Sequence, residues 1–449
     1  MASIEFDLIA DLEARNLIHD STDREFLRAH VAAGPVGIYY GCDPTADSLH
    51  VGNLIGLVTL RRFQDAGHRP IALAGGATGM VGDPSGRSEE RNLLDDNVLD
   101  HNVACIKEQL GRIVDLGPQE SVPQESVPQE SVPRESVRSE AGRGRGELVD
   151  NRTWTQPISV LEFLRDVGKH VTVNQMLARE SIKMRINSEH GISFTEFSYM
   201  LLQANDYLWL HDNLGCTIQI GGSDQWGNII AGVDLIRRKT GKHVHAFSWP
   251  LLTASDGSKL GKTTGARVWL DAEKTSPYQF RQHWMQIADD DIEAQLLTFS
   301  LRPVDELRAL VTRHAEAPQH RLAQRELADE MVTLVHGADA AHAATEAADL
   351  LFSADPVAAS ASALEALSAE IPSSSVDAAG LGDLVVTLVA TGLASSNGDA
   401  RRNLAQGSYY VNGVTIDENS VPTEWERLQG RYVLLRKGKK THHLLEISS

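Results

Sequence analysis

Cysteine is scarce: three residues (Cys42, Cys105, Cys216) are scattered through 449 with no paired or metal-type spacing. This argues against a disulfide framework or a zinc site and fits a reducing cytoplasm. Long apolar runs are missing too. No stretch of about 18 uncharged apolar residues occurs, so no membrane-spanning helix is expected. The opening MASIEFDLIA has no basic leader followed by an apolar block, so no secretory signal is expected. Positive charge is in deficit, with 42 Lys and Arg against 61 Asp and Glu and a net charge of −19. That balance argues against broad nucleic-acid binding and leaves only local basic patches as candidates. One such patch is RYVLLRKGKKTHH at 431–443, which carries five basic residues and no acid.

What is present suits a globular protein of two or three domains, with 42% hydrophobic residues. Residues 4–33 read as helices, with Asp20-Ser21-Thr22 as cap material. VGIYY (36–40) reads as a strand. Residues 48–66 read as a helix with apolar positions at Leu49, Leu54, Leu57, Leu60 and Phe63, and PIALAGG (70–76) as a second strand ending in glycines. Strand, helix, strand in this order predicts a parallel α/β unit of the mononucleotide-binding type, whose ligands sit at the C-terminal strand ends. Residues 118–137 repeat PQESV, and Arg-Gly-rich sequence follows to about residue 147. Proline every fifth residue forbids a regular helix or central strand, so 118–147 reads as an extended, disordered surface insertion. Helical patterns resume at 158–167, 174–186 and 194–214, a strand at 217–222, and a helix after it. The expected domains are an α/β catalytic domain at 1–275, a helical domain at 276–352, an Ala/Ser/Pro-rich linker at 353–380, and a small α+β domain at 381–449.

Four stretches carry candidate chemistry. In DPTADSLHVGN (43–53), Asp47 or Ser48 is expected to cap a helix whose first turn holds His50. A helix N-terminus suits phosphate, and Gly52 leaves room for a flat base, although many helices begin with a capped histidine and bind nothing. In KLGKT (259–263), two lysines three apart between glycines suit a polyphosphate, or form an ordinary solvated turn. On the helix containing EFSYMLLQANDY (196–207), Tyr199, Gln203 and Asp206 form one polar stripe, suited to a small polar ligand with an ammonium or to an internal hydrogen-bond network. GGSDQWGN (221–228) is a strand end with paired glycines, then a helix capped by Ser223 or Asp224, which a plain strand–turn–helix would also provide.

Together and in this order these stretches resemble a class I aminoacyl-tRNA synthetase: HVGN (50–53) resembles its HIGH signature and KLGKT its KMSKS loop. The nearer resemblance is to the bacterial tyrosyl-tRNA synthetase family, through YYGCDPTADSLHVGNL, GGATGMVGDPSG, GISFTEFSYMLLQANDY, GGSDQWGN and DGSKLGKT, over nearly the whole chain. The resemblance implies a Rossmann-like catalytic domain with a parallel sheet, a helical domain meeting the anticodon arm, and an S4-like RNA-binding domain. It implies a tyrosine–tRNA ligase that forms tyrosyl-adenylate from L-tyrosine and ATP and then transfers tyrosyl to the terminal adenosine of tRNA(Tyr). It also implies a cytoplasmic homodimer, Mg²⁺ accompanying ATP, and no protein-bound metal or organic cofactor.

Residue by residue, it assigns Tyr39 and Asp206 to the substrate phenol. Tyr199, Gln203 and Asp83 fall around the ammonium with Thr78 and Asn151 nearby, and Gln225 at the carboxylate end. Gly41, Asp43, His50, Asn53, Gly222, Asp224 and Lys262 line ATP or the adenylate. Thr45, His50, Lys259, Lys262 and Thr263 hold the phosphates in the transition state. Arg237, Arg238, Arg401, Arg402, Arg436, Lys437, Lys439 and Lys440 are candidate tRNA contacts. The sequence departs from the family pattern at Asn53, where the signature has histidine, and at Leu260, where the loop has methionine. An indole has no hydroxyl, so the Tyr39–Asp206 pair speaks against the related tryptophanyl enzymes. A non-catalytic RNA-binding paralogue would have lost His50 or the loop lysines. A nucleotidyltransferase sharing the HxGH-type motif would be shorter and lack the C-terminal domain. No editing domain is expected.

Overall fold

The structure is a computed structural model. It describes the chain except residues 1–5, 84, 86–94, 118–143, 180–181, 184–185, 187–190, 252–261, 264–265, 352–355, 357, 378–380, 439 and 449, and the side chains of 262, 263 and 266. The repeat at 118–137 and Lys259 therefore lie outside the described residues. The described residues cluster into two units, one of 1–274 with 287–327 and one of 275–286 with 328–449.

The first unit is built on five strands: β1 (Gly37–Cys42), β2 (Arg69–Ala74), β3 (Glu147–Asp150), β4 (Cys216–Gly222) and β5 (His245–Trp249). They lie in the order β3-β2-β1-β4-β5 and every pair is parallel. β1 to β3 proceed one way and β4 to β5 the other, so the order reverses between β1 and β4. In such sheets the crevice at the reversal, outside the strands' C-terminal ends, is where ligands bind. Short parallel strands need both faces covered. The helix Val51–Asp65 supplies one covering surface, with buried Leu54, Ile55, Leu57, Val58, Leu60 and Phe63. The helices Phe194–Leu214 and Trp226–Thr240 pack with β1 and β4 around Tyr39, Ala204, Tyr207, Leu208, Cys216 and Leu235.

Two stretches differ from expectation. Residues 144–147 are tied to the α/β unit and do not continue an extended arm: the Gln64 amide donates to the Gly144 carbonyl at 2.9 Å, Gly146 bridges Leu116, and Glu147 opens β3. The helices Ile292–Phe299 and Val304–Glu316, expected in a separate helical domain, cluster with the sheet. The buried guanidiniums of Arg15 and Arg62 explain why. Both donate to the Ser300 carbonyl, at 3.0 and 2.7 Å, and Arg62 also to Thr298 at 2.8 Å, satisfying the C-terminal carbonyls that a helix leaves free.

The second unit carries another five-stranded sheet. The chain first forms a small antiparallel ribbon in the first unit, β6 (Lys262–Thr263) with β7 (Ala266–Arg267). The second unit then holds β8 (Ser373–Asp377), β9 (Tyr409–Val411), β10 (Val414–Thr415), β11 (Tyr432–Lys437) and β12 (Thr441–Ser448), in the order β10-β9-β11-β12-β8. Residues 353–380, expected as a linker, contain β8, which pairs in parallel with β12, and the helix Ala361–Glu370. That helix buries Ala363, Leu364 and Leu367 against Leu428, Tyr432, Leu434 and Leu444. Only three apolar side chains anchor it within an Ala/Ser-rich stretch, which is why composition reads it as unstructured.

Candidate active site

His50 is the N-cap of the helix Val51–Asp65, not a residue of its first turn. Its backbone is extended (φ −130°, ψ 171°), its Nδ1 accepts the Gly52 N–H at 3.0 Å, and the Asn53 side chain accepts the His50 N–H at 3.1 Å. This is a reciprocal capping box. Asp47 and Ser48 are better caps by residue type but are engaged elsewhere. Asp47 pairs with Lys274 at 2.8 Å, and the Ser48 hydroxyl donates to the Leu49 carbonyl at 2.7 Å and accepts the Asp271 N–H at 3.1 Å. A β-carbon on Gly52 would fall 2.7 Å from the His50 ring, so this glycine makes room for the cap. Burial first, and then the charge of Arg267, lower the His50 pKa to about 4. The imidazole is therefore neutral at pH 7. With Nδ1 accepting, its proton sits on Nε2, leaving an N–H donor beside a helix N-terminus. Asn53, the departure from the signature, serves that cap through its neutral amide oxygen.

The ends of β1, β2 and β3 lie side by side, with Cys42 in register with Ala74 and Ala74 with Asp150. The residues just beyond them meet. Asp43 accepts hydrogen bonds from the Thr78 hydroxyl (2.7 Å) and the Tyr199 hydroxyl (2.7 Å). The Asn151 amide donates to Thr78 Oγ1 and to Asp206, both at 3.0 Å, and its oxygen accepts the Ala77 N–H at 2.7 Å. A β-carbon on Gly75 would lie 2.3 Å from the Asp43 carboxylate and 2.4 Å from the Thr78 hydroxyl, so the glycine after β2 is what lets that pair form.

At the inner end of this chain, Asp206 is buried and also accepts the Trp154 indole N–H at 2.8 Å. Burial raises its pKa to about 7 against the opposing pull of its two donors. Tyr39 is buried on the same side of β1, 5.4 Å from the Tyr207 ring, and its hydroxyl has no partner among the described residues. A buried polar atom without a partner is costly and points to a ligand that supplies one. On the helix Phe194–Leu214, Tyr199 and Asp206 are buried with Gln203 half-buried between them, so the polar stripe exists. Beside it, Asp83 accepts the Gln225 amide at 2.5 Å and the Asn228 amide at 3.4 Å. Trp154 was not anticipated. It is positioned by stacking on Trp209 at 4.1 Å and 9°, a non-local contact with no local signal.

The remaining expected residues are less concentrated. Thr45 and Gly41 are exposed at the end of β1, and Gly222 ends β4 beside Asp224. Neither Ser223 nor Asp224 caps a helix: a 3₁₀ turn over Ser223–Gln225 precedes Trp226–Thr240, and neither start has a side-chain cap. Lys262 and Thr263 lie on β6, with only their backbone described. Arg237 pairs with Asp234 at 3.2 Å, and Arg238 bonds Gln175 at 3.0 Å and the His170 carbonyl. In the second unit, Arg402 and Lys437 both hold Asp399, at 2.7 and 3.2 Å, and Arg436 stacks 4.0 Å over Tyr410. Arg401 and Lys440 are exposed, and Lys439 lies outside the described residues. Among the described residues no group of three or more His, Cys, Asp or Glu side chains is arranged to hold a metal ion, and no helix is long and apolar enough to cross a membrane.

A parallel sheet whose reversal point gathers two carboxylates, two phenols and a capped histidine can be compared with known proteins. A family model described as tRNA synthetases class I (W and Y) matches residues 32–353. A second, the tyrosine–tRNA ligase SYY-like C-terminal domain, matches 363–445. The chain belongs to the tyrosine–tRNA ligase family. It is 47% identical over 445 residues to a tyrosine–tRNA ligase of Opitutus terrae, covering 98% of this chain and 99% of the relative. It is 45% identical to one of Mycobacterium tuberculosis, covering 97% of each. Among solved structures, a C-terminally truncated mitochondrial tyrosyl-tRNA synthetase of Aspergillus nidulans matches with a TM-score of 0.66 at 32% identity, covering 77% of this chain and 94% of that one. The family's C-terminal domain begins inside 353–380, in agreement with the helix and strand found there.

Proposed function

We propose that this member of the tyrosine–tRNA ligase family activates tyrosine and charges tRNA(Tyr) in the crevice beyond β1 and β4. The carrying observation is the chain of hydrogen bonds from Tyr199 through Asp43, Thr78 and Asn151 to Asp206, beside the unpartnered Tyr39 hydroxyl. The phenol of tyrosine sits between Tyr39 and Asp206. Its ammonium meets Tyr199, Gln203 and Asp83, with Thr78 and Asn151 behind, and Gln225 lies toward its carboxylate. The carboxylate, already ionised, attacks the α-phosphorus of ATP. The new C–O–P bond gives tyrosyl-adenylate, and the α–β bridging bond breaks to release pyrophosphate.

No general base is needed; the step needs positioning and charge stabilisation. Gly41, Asp43, Asn53, Gly222 and Asp224 frame the adenylate, and the Nε2–H of His50, with Thr45, Lys259, Lys262 and Thr263, meets the departing phosphates. Mg²⁺ enters with ATP, bound mainly through the nucleotide's phosphates. A ribose hydroxyl of the terminal tRNA adenosine then attacks the acyl carbon, forming the ester and releasing AMP.

The second unit holds tRNA through Arg401, Lys440 and the stacked Arg436, with Arg402, Lys437 and Lys439, while Arg237 and Arg238 meet the acceptor arm. Phosphate contacts of this kind give affinity and not sequence choice. The working form is a cytoplasmic homodimer. Val160, Leu161 and Leu164 on one short helix and Val173 and Leu177 on a following one are exposed, apolar surface that a second copy of the chain would cover. Tyrosine-dependent exchange of labelled pyrophosphate into ATP, with phenylalanine and tryptophan as controls, tests the chemistry. Exchange with tyrosine alone is expected, and none with any of the three from folded protein would refute the assignment.

A further inference from the structure

We propose that Arg267 is a further polyphosphate-binding residue for the activation step, gripping the β,γ end of ATP and the pyrophosphate that leaves. This rests on the reading of His50 and Lys262 as phosphate contacts. Arg267 ends β7, directly opposite Lys262 in the antiparallel register. The Arg267 guanidinium lies 5.2 Å over the Trp269 ring, and the His50 ring stands edge-on to the same indole at 6.3 Å. Trp269 is thus a wall common to Arg267 and His50.

The backbone fixes this arrangement. The Val51 N–H donates to the Val268 carbonyl at 3.1 Å, and the Leu270 N–H to the Leu49 carbonyl at 2.8 Å, tying 268–270 to the start of the His50 helix. The neighbouring cation, Lys274, is committed to Asp47 at 2.8 Å. Arg267 is exposed and has no carboxylate partner among the described residues. Its charge is nevertheless felt at His50, where it adds to burial in keeping the imidazole neutral. A fork of guanidinium donors on the same indole wall as a neutral N–H donor that caps a helix suits a dense anion and the bidentate geometry of a phosphate. Nothing in the sequence pattern marked this arginine, because it lies four residues beyond the KLGKT stretch and becomes significant only through the ribbon register.

The test is pyrophosphate exchange and product inhibition in Arg267→Gln and Arg267→Lys, run beside His50→Ala and Lys262→Ala. For Arg267→Gln, kcat/KM for ATP is expected to fall about ten- to a hundredfold, the loss of one charge-assisted hydrogen bond. KM for tyrosine and the melting temperature should hold, pyrophosphate should inhibit more weakly, and Arg267→Lys should recover part of the loss. The pH profile should also shift, because removing the arginine lets the His50 pKa rise toward its ordinary range. If His50→Ala and Lys262→Ala slow exchange while Arg267→Gln does not, the inference falls and the site reading stands. If none of the three affects exchange, both fall. A change in Arg267→Gln confined to KM for tRNA in the transfer step also overturns the proposal, since the guanidinium would then belong to the tRNA backbone.

Discussion

Tyr39→Phe separates stability from function in one substitution. In the unliganded protein the Tyr39 hydroxyl is buried and has no partner among the described residues, a situation that costs about 1–3 kcal/mol. Phenylalanine keeps the ring against Tyr207 and leaves no more space than one oxygen. The variant is therefore expected to unfold at an equal or higher temperature, with stability unchanged or raised by up to about 2 kcal/mol. Catalysis should move the other way. Loss of a neutral hydrogen bond to the substrate phenol removes about 0.5–1.5 kcal/mol, or roughly two- to tenfold in kcat/KM for tyrosine. Phenylalanine should be activated better, because one of the two groups that its binding would leave unpaired is gone. Rejection of phenylalanine by about 10⁵ is the established figure for tyrosyl enzymes as a class, so discrimination should fall measurably below it. The assays are thermal melting and pyrophosphate exchange with each amino acid. A lowered melting temperature together with unchanged discrimination would refute the reasoning, since the hydroxyl would then be paired within the protein and remote from the substrate.

Asp206 makes a pH prediction. Its folded pKa of about 7 lies above the ordinary carboxylate value, so the folded state holds the proton more tightly than the unfolded chain. The associated stability is fully present below about pH 4 and is lost as pH rises through 7, by up to roughly 4 kcal/mol. Melting temperatures of the parent protein and Asp206→Asn, compared from pH 5 to 8, should differ by an amount that changes with pH, and a constant offset would contradict this. Gly52→Ala forces a β-carbon to within 2.7 Å of the His50 ring. It should break the cap, at about 0.5–2 kcal/mol of stability, and slow the ATP step while sparing KM for tyrosine; an unaltered ATP step would separate the cap from catalysis. Leu161→Asp on the exposed apolar face should convert the proposed dimer to monomer in light scattering without loss of secondary structure, and an unchanged mass would refute an interface at this face.

Strands β1, β2 and β4 and the clustering of candidate residues beyond them were legible because they follow from local pattern: apolar runs ending in or near glycine, each followed by a capped or polar turn. The short outer strands β3 and β5 carry no such signal and were not expected. Details that depend on partners distant in sequence were not legible either. Asp47 and Ser48 look like the helix cap until Lys274 and Asp271, more than 200 positions away, take them up; only then is His50 left as the capping residue, with Asn53 completing the box. The same holds for Trp154, whose bond to Asp206 depends on a stack with Trp209, and for the helix Ala361–Glu370, whose few apolar residues matter only once the strands near residues 434 and 444 are beside it.

This difference has a mechanistic side. The departure of the signature from histidine to Asn53 reads in sequence as a missing charge. In the structure its amide oxygen accepts the His50 backbone N–H, while the Gly52 N–H donates to His50 Nδ1 and so sets the tautomer of the neutral imidazole. A cationic histidine at 53 would add positive charge within the cap of His50, whose pKa is already lowered by burial and then by the charge of Arg267. Asparagine therefore completes the cap that holds His50 without adding charge beside its imidazole. Asn53→Ala should accordingly slow the ATP step by loosening the cap that positions His50, and Asn53→Asp should raise the His50 pKa, shifting the activity profile upward in pH. If neither variant alters the ATP step, the capping box is structural only.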